Sequence, residues 1–416
     1  MDGSPGEPGA TRIVECHDCG QRYALAPLAP GTVATCRRCG AGVARRPVNS
    51  LDRALALALG GLVLIVIANT MPFMSLKMQG RVQEASLVTG AVALFEQGIW
   101  ALAAVVVLTT ILAPLIKLGG VTYVIVCLRL ARPPRHAALV FRCLERFRPW
   151  AMIEVYLLGV FVAYVKLIDL ATIEIGVAFW SLAALMLVMV AIELVLDAGT
   201  VWQAMERRGL VTTPSPLPGQ RLVLCEACGL VGPFDGHDAR CPRCAARRHD
   251  RKPDAIARTW ALLLTGIILY IPANAYPVMT VISFGAGSPD TILSGVEALA
   301  AAGMWPLAAL VFFASITVPV LKIVGLMILL VTTQRGSRWR LRDRTMLYRI
   351  VETIGRWSMI DIFMLSILVG LVQLGNIATI APGVGAISFC AVVIITMIAA
   401  SSFDPRLMWD AAGERS

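Results

Sequence analysis

Charge is what this 416-residue chain has least of. Asp, Glu, Lys and Arg make up 15% of it, against roughly 25% in an ordinary soluble domain. The shortage is concentrated. Residues 54–76, 97–116, 175–192, 259–289, 298–321 and 362–403 carry no charged side chain. Apolar runs of about 18 residues or more are long enough to cross a bilayer as helix. A soluble fold, a disordered chain and a small disulfide scaffold are therefore excluded as readings. Histidine is also scarce. The four histidines are His17, His136, His237 and His249, and none lies in an apolar run. No GxxxxGK[ST], GxSxG or HExxH stretch occurs. That removes P-loop ATP hydrolysis and argues against hydrolase or metalloprotease chemistry, so no enzyme is expected. The first residues, MDGSPGEPGATR, lack the basic and apolar regions of a secretory signal, and no cleaved leader is expected.

What charge there is carries a sign and a place. The formal net charge is +10, from 37 Lys+Arg against 27 Asp+Glu. The excess lies in short segments beside the apolar runs, which is the positive-inside pattern of a membrane protein and not a nucleic-acid surface. The basic segments 129–148 and 335–356 should face the cytoplasm, with the arginine-rich stretches before residues 53 and 258. The weakly charged segments 72–97 and 275–302 should face outward. Loose alternation in FMSLKMQGRVQ suggests one or two short strands there.

The expected fold is an all-α polytopic membrane protein made of two tandem four-helix units. A flexible tail, 1–12, precedes a zinc-ribbon-like module, 13–50. The first unit, 51–210, has helices at about 53–71, 98–129, 151–169 and 176–197. After a linker, 211–220, comes a second module, 221–252. The second unit, 253–403, has helices at about 256–274, 303–333, 357–375 and 385–402, and 404–416 is a tail. An internal repeat supports this division. Adding 205 carries Asn69-Thr-Met-Pro72 to Asn274-Ala-Tyr-Pro277, Gly90 to Gly295 and Pro114-Leu-Ile-Lys117 to Pro319-Val-Leu-Lys322. Beyond the basic segments an offset of 207 carries Glu154 to Asp361 and Ala171-Thr-Ile173 to Ala378-Thr-Ile380. Four helices per unit return the chain to its starting side. Both modules and both termini are then cytoplasmic, and the units are parallel repeats.

Eight of the eleven cysteines form CxxC pairs. Cys16-x2-Cys19 is followed by Cys36-x2-Cys39, and Cys225-x2-Cys228 by Cys241-x2-Cys244. Two such pairs bring four thiolates to the corners of a tetrahedron, the geometry of a closed structural Zn2+ site. Iron suits the same donors less well here, and a cytoplasmic location disfavours disulfides. Gly20, Gly40 and Gly229 permit the tight turns after three of the pairs. Modules of this size bury little core, so the metal would supply most of their folding energy.

Lys117 and Lys322 occupy matched places inside long apolar helices, about three residues after Pro114 and Pro319. A charge there costs several kcal/mol unless paired or solvated. Snorkelling and ion pairing, with Glu154 and Asp361 as partners, both remain open. The two prolines are helix kinks, either packed or hinge-like. Lys166, Asp169, Glu193 and Asp197 have charged character only in the first half.

The combination resembles the paraquat-inducible protein A family of bacterial inner-membrane proteins, which includes the lipophilic-envelope-spanning tunnel protein A group. The carriers are the two four-cysteine modules, the Asn69–Pro72 and Pro114–Lys117 elements, their second-half matches, and the ending Ser402-Phe-Asp-Pro-Arg-Leu-Met-Trp-Asp410. They cover about residues 13–410. The resemblance implies a separate, membrane-anchored MCE-domain partner that forms a tube across the periplasm. It also implies that phospholipid or other lipid passes between inner and outer membranes, with this chain loading or receiving it. Lys117, Glu154 and Lys166 are then the candidate lipid path, and Lys322 and Asp361 are their second-half matches. Two rival readings stand beside it: a secondary transporter of small cations or drugs, and a zinc-stabilised membrane anchor for partner proteins.

Overall fold

Helices dominate the computed structural model, because a segment inside a bilayer must satisfy its own backbone hydrogen bonds. The structure describes residues 12–78, 81–132, 134, 136–167, 172–214, 219–234, 240–283, 286–372 and 378–413. Most of the 1–12 tail, residues 215–218 of the linker, Asp169, Ala171, His237, the ends of the expected helices 151–169 and 357–375, and residues 414–416 lie outside that description. So does the side chain of Lys166.

Two hairpins open the chain, β1 (Arg12–Glu15) with β2 (Arg22–Leu25) and β3 (Val33–Thr35) with β4 (Gly42–Arg45). Helix α1 (Ser50–Thr70) follows, then strands β5 (Met74–Met78) and β6 (Arg81–Ala85) and a short helix α2 (Thr89–Glu96). Helices α3 (Trp100–Val107) and α4 (Ala113–Arg129) run on as one through a π-helical turn, Leu108–Leu112. The basic segment then folds into an amphipathic helix, α5 (Ala137–Phe147), and a 3-10 turn, Arg148–Trp150. Helix α6 (Ile153–Leu167), strand β7 (Thr172–Ile175), and helices α7 (Val177–Val195) and α8 (Ala198–Arg207) complete the half.

The second half repeats this plan. One hairpin, β8 (Leu222–Leu224) with β9 (Val231–Pro233), precedes α9 (Ala255–Ala275). Strands β10 (Met279–Ser283) and β11 (Ala286–Asp290) lead to α10 (Ile292–Ala301). Helices α11 (Trp305–Phe312) and α12 (Val318–Gln334) are again joined by a π-helical turn, Phe313–Thr317. Then come α13 (Leu341–Ile354), a 3-10 turn at Gly355–Met359, α14 (Ile360–Leu371), β12 (Ala378–Pro382), α15 (Val384–Ser402) and α16 (Arg406–Ala411).

Among the described residues seven helical stretches are long and apolar enough to cross a membrane. Helix α6 is apolar but shorter, while its counterpart α14 is extended backward by α13 into the stretch Leu341–Leu371. Proline explains the π-helical turns. Pro114 and Pro319 sit in the first turns of α4 and α12, where their missing N–H breaks the regular ladder. The residue before each shifts to an i−5 bond: Ala113 N–H donates to the Leu108 carbonyl, and Val318 N–H to that of Phe313.

Each half carries one antiparallel three-stranded sheet at the end of the bundle away from the cysteine modules, ordered β6-β5-β7 and β11-β10-β12. Their third strands, of four and five residues, pair with β5 and β10 far earlier in the chain. The repeated Asn-x-x-Pro element sits where these strands meet the next helix. Asn69 and Asn274 each donate back to a carbonyl four residues earlier, Ile65 at 2.7 Å and Tyr270 at 2.9 Å. A Cβ at Gly176 would stand 2.1 Å from the Pro72 carbonyl oxygen, and one at Gly383 2.2 Å from that of Pro277. Only glycine allows α7 and α15 to begin so close to the proline.

Within the halves, α1 packs on α4 and α7, and α9 on α12 and α15. The halves join where α14 lies against α2 and α6. Small residues make this crossing possible, as at other helix contacts in lipid. A Cβ on Gly90 would fall 2.4 Å from the Ser366 carbonyl oxygen, and one on Gly159 2.9 Å from the Phe363 Cβ. Gly295, the repeat match of Gly90, has nothing within 4 Å. The repeat therefore yields a test with opposite signs. Gly90→Ala should destabilise the joint by about 2 kcal/mol through overpacking. Gly295→Ala should be neutral or gain up to about 1 kcal/mol from helix propensity. Thermal unfolding of the two variants in detergent measures both.

Candidate metal centres and charged membrane residues

Each cysteine pair sits on a tight turn. Cys16 N–H donates to the Gln21 carbonyl at 2.9 Å, and Gly20 N–H to the Cys16 carbonyl at 2.9 Å. The same pattern recurs at Cys36, Cys225 and Cys241. The residue after each second cysteine adopts a left-handed conformation: Gly20 (φ 73°), Gly40 (φ 75°), Gly229 (φ 69°) and Ala245 (φ 57°). Three are glycines, as the sequence leads one to expect; the fourth is an alanine that carries the Cβ penalty. Ala245→Gly should thus raise the melting temperature, by a gain on the order of 1 kcal/mol.

The turns bring four sulfurs together twice. Cys16, Cys19, Cys36 and Cys39 form one group, and Cys225, Cys228, Cys241 and Cys244 the other, with all ligand atoms within 4.8 Å of one another. The shorter Sγ–Sγ separations are 3.5 and 3.6 Å. Metal–sulfur bonds of about 2.3 Å in a tetrahedron give an S–S edge of about 3.8 Å, so each group fits one metal ion. Hydrogen bonds temper the sulfur charge: Tyr23 Oη lies 3.2 Å from the Cys36 Sγ, and Arg349 Nη2 donates to the Cys39 Sγ at 3.3 Å.

The modules are exchanged between the halves. The first packs on α12, α13, α15 and α16 of the second unit, sharing a core with Leu326, Tyr348 and Trp409. The second packs on α4, α5 and α8 of the first unit, sharing a core with Phe141, Trp202 and Met205. Arginines fix each seat. Arg349 bonds Asp18 at 2.5 Å and donates to the Cys39 carbonyl at 3.1 Å. Arg38 lies 4.3 Å over the Trp409 ring. Arg142 donates to the Cys244 carbonyl at 2.8 Å. The modules also touch each other, through Arg22 and the Leu222 carbonyl at 2.9 Å.

Arg406 ties the whole assembly. Buried at 2% exposure, it pairs with Asp404 at 2.9 Å, with Glu226 of the second module at 2.5 Å and with Glu15 of the first at 3.7 Å. Arg251 adds a pair with Asp410 at 2.7 Å. Burial pushes the Asp404 carboxyl up, but the hydrogen bonds and charge of Arg406 outweigh it and hold that carboxyl below the usual range. A depressed carboxylate contributes stability above its unfolded pKa of about 3.9 and loses it as the pH falls further. Removing the arginine takes the ion-pair partner from Asp404 and Glu226, while Glu15 keeps Arg22 at 2.9 Å. Arg406→Met should cost about 3 kcal/mol at neutral pH, and its difference from the parent should shrink below about pH 4. Melting curves at the two pH values check this.

The candidate path residues are distributed differently from the pairing considered for them. Lys117 bonds Glu193 of α7 at 2.6 Å, and Glu154 is exposed in the first turn of α6. A recess beside Lys117 is lined by Glu145, Arg148, Glu193 and apolar neighbours, and Glu154 does not line it. Lys322 has no such partner. It is 1% exposed, and its Nζ makes no hydrogen bond among the described residues. The position matching Glu193 is Ala400. Asp361 is 8% exposed and lines a second recess with Ser315, Thr291 and Phe389. Sequence reasoning did not single out Arg349, Arg406 or Asp404. The arginine at 349 is one of many in its segment, and the Ser402–Asp410 stretch carries the family resemblance without naming a partner for Arg406.

The chain is a multi-pass membrane protein with two repeated halves, each led by a four-cysteine group that suits a metal ion. It belongs to the family described as Paraquat-inducible protein A, which it matches over residues 51–206 and 256–413. It is 32% identical to the "Intermembrane transport protein PqiA" of Escherichia coli K12 over 416 residues, 96% of each chain. It is 32% identical to the "Lipophilic envelope-spanning tunnel protein A" of the same strain, over 95% of this chain and 91% of that one. A "Probable intermembrane transport protein" of Haemophilus influenzae is 31% identical over 96% of each chain. No solved structure matches the chain.

Proposed function

We propose that this chain is the inner-membrane subunit of an intermembrane transport system, with phospholipid or a related lipid as cargo. The observation that carries the reading is the pair of mostly apolar recesses flanking membrane helices, each holding a few polar groups, Lys117 and Glu193 in one, Asp361 and Ser315 in the other. A lipid path needs an apolar wall with a few convergent polar groups for the head group, and both recesses have that make-up. The names of the relatives support transport between membranes. A separate membrane-anchored MCE-domain protein is the partner we infer, as the family resemblance implies.

In this reading the chain is not an enzyme. It places Lys117, Glu154 and Lys166 on the path, and keeps Lys322 and Asp361 as matched groups in the second unit. The arginines flanking the cysteine modules set both modules on the cytoplasmic side. The four-thiolate groups hold structural Zn2+, which closes each module and seats it on the opposite unit. Metal analysis should then return two zinc ions per chain, and Cys225→Ser should return one.

The rival reading is proton-coupled flux of a small cation, favoured by the Lys117–Glu193 pair and the buried Asp361. One experiment separates them. The protein is purified from its native membrane in mild detergent, and bound proteins and lipids are identified by mass spectrometry. Recovery of a periplasm-spanning MCE protein, with phospholipid depleted in Lys117→Ala but retained in Lys322→Ala, is the expected result. No partner and no lipid difference would overturn the lipid reading and turn the search to gradient-driven cation flux.

A further inference from the structure

The recess at Lys117 has a charge pattern that a simple anion or cation site lacks. Four ionisable groups meet there, two of each sign: Lys117 and Arg148, Glu145 and Glu193. They come from α4, from α7 and from the continuous stretch of α5 and its 3-10 turn, so three pieces of chain converge on one point. Lys117 and Glu193 satisfy each other at 2.6 Å. Arg148 is held more loosely. Its Nη1 is 3.8 Å from Glu145 and its Nε 4.0 Å from Glu193. Both separations exceed hydrogen-bond length, so the guanidinium keeps donors for a ligand. Its side chain is 51% exposed, whereas Lys117 is 12% exposed. Phe141 and Ile192 supply an apolar wall, and the recess is open on one side.

The repeat provides a comparison inside the same molecule. Adding 207 carries Glu145 to Glu352, but Arg148 to Gly355 and Glu193 to Ala400. One cation and one anion are missing in the second unit. There the lysine is fully buried, and a Cβ at Gly355 would lie 3.5 Å from its Nζ. Tyr348, which matches Phe141, reaches the Ala400 carbonyl at 3.4 Å. The second unit has closed over its lysine, and the first has kept an open recess with balanced charge.

We infer that the recess formed by Lys117, Glu145, Arg148 and Glu193 binds the head group of a zwitterionic phospholipid bearing a primary ammonium, of the phosphatidylethanolamine type. A phosphodiester accepts from the exposed fork of Arg148, with Lys117 adding positive field. The ammonium, two carbons away, donates to Glu145 and Glu193. Because the recess is open on one side, the acyl chains remain outside against the apolar wall. A site with two cations alone would prefer an anionic lipid; the two carboxylates repel a second negative charge and select against it.

This inference rests on the lipid reading above, and its test keeps the two apart. The full-length protein is placed in nanodiscs of equal parts phosphatidylethanolamine, phosphatidylglycerol and phosphatidylcholine, and retained lipids are counted by native mass spectrometry. The wild type should enrich phosphatidylethanolamine over phosphatidylglycerol by about fivefold, the scale of one partly exposed charge-assisted hydrogen bond. Glu193→Gln and Glu145→Gln, on different helices, should each remove that preference while phosphatidylglycerol stays bound. Arg148→Gln should weaken all three lipids, and Glu352→Gln in the second unit should change nothing. Tight lipid binding with no preference for the ethanolamine head group, or a preference untouched by both Glu→Gln variants, overturns the head-group assignment and leaves the lipid reading standing. A wild type that retains none of the three lipids overturns both.

Discussion

Arg406 and its carboxylates are the interaction on which the arrangement of this molecule depends. Glu15 belongs to the first cysteine module, Glu226 to the second, and Asp404 to the turn that ends the last long helix. One buried cation thus fixes three segments far apart in the chain. Buried charges are costly when a partner is missing and tolerable when all are present, so such a cluster specifies one assembly more than it adds net stability. Its consequence is the exchange of modules. Each small metal-binding unit leaves its own half and braces the other, so neither half is complete alone. The close crossing of α14 with α2 and α6 makes the same connection within the apolar part.

Duplication has left the halves alike in plan and unlike in chemistry. Both have the π-helical turn before a proline, the Asn-x-x-Pro element, and the three-stranded sheet. They differ at single positions with large electrostatic weight. Glu193 becomes Ala400 and Arg148 becomes Gly355, and the lysine between them passes from a half-buried ion pair to full burial. Glu154 is exposed where Asp361 is enclosed. A repeat whose backbone is kept and whose internal charges are redistributed fits a division of labour: the first unit receives a polar group from one side, and the second holds an enclosed carboxyl and an enclosed amine.

Much of this was legible in the sequence, for physical reasons. Long uncharged runs can only be bilayer helices or a large core, and their positive flanks give them a direction. Cysteine spacing reads well because a CxxC turn is local, and two such turns close one tetrahedron. The strands after Pro72 show as loose alternation in FMSLKMQGRVQ, whereas those after Pro277 do not. What stayed hidden is what local pattern does not encode. Strands β7 and β12 pair with β5 and β10 far earlier in the chain, and no local pattern announces that pairing. The basic segments read only as charge, although Phe141, Leu144, Tyr348 and Val351 make them amphipathic helices that seat the modules. The ion pairs of Arg349 with Asp18 and of Arg406 with Glu15 join residues more than 300 positions apart, and nothing near either residue announces its partner. For the same reason Glu193 reads in the sequence as a charge and not as the partner of Lys117.

The central claim is that this chain passes lipid between membranes. The direct measurement is the exchange of pulse-labelled phospholipid between the inner and outer membranes of cells, with and without the chain, under conditions where it is the principal route. The account predicts that exchange slows when the chain is absent, and that wild-type protein restores it while the Lys117→Ala variant does not. Exchange at an unchanged rate in cells lacking the chain would contradict it.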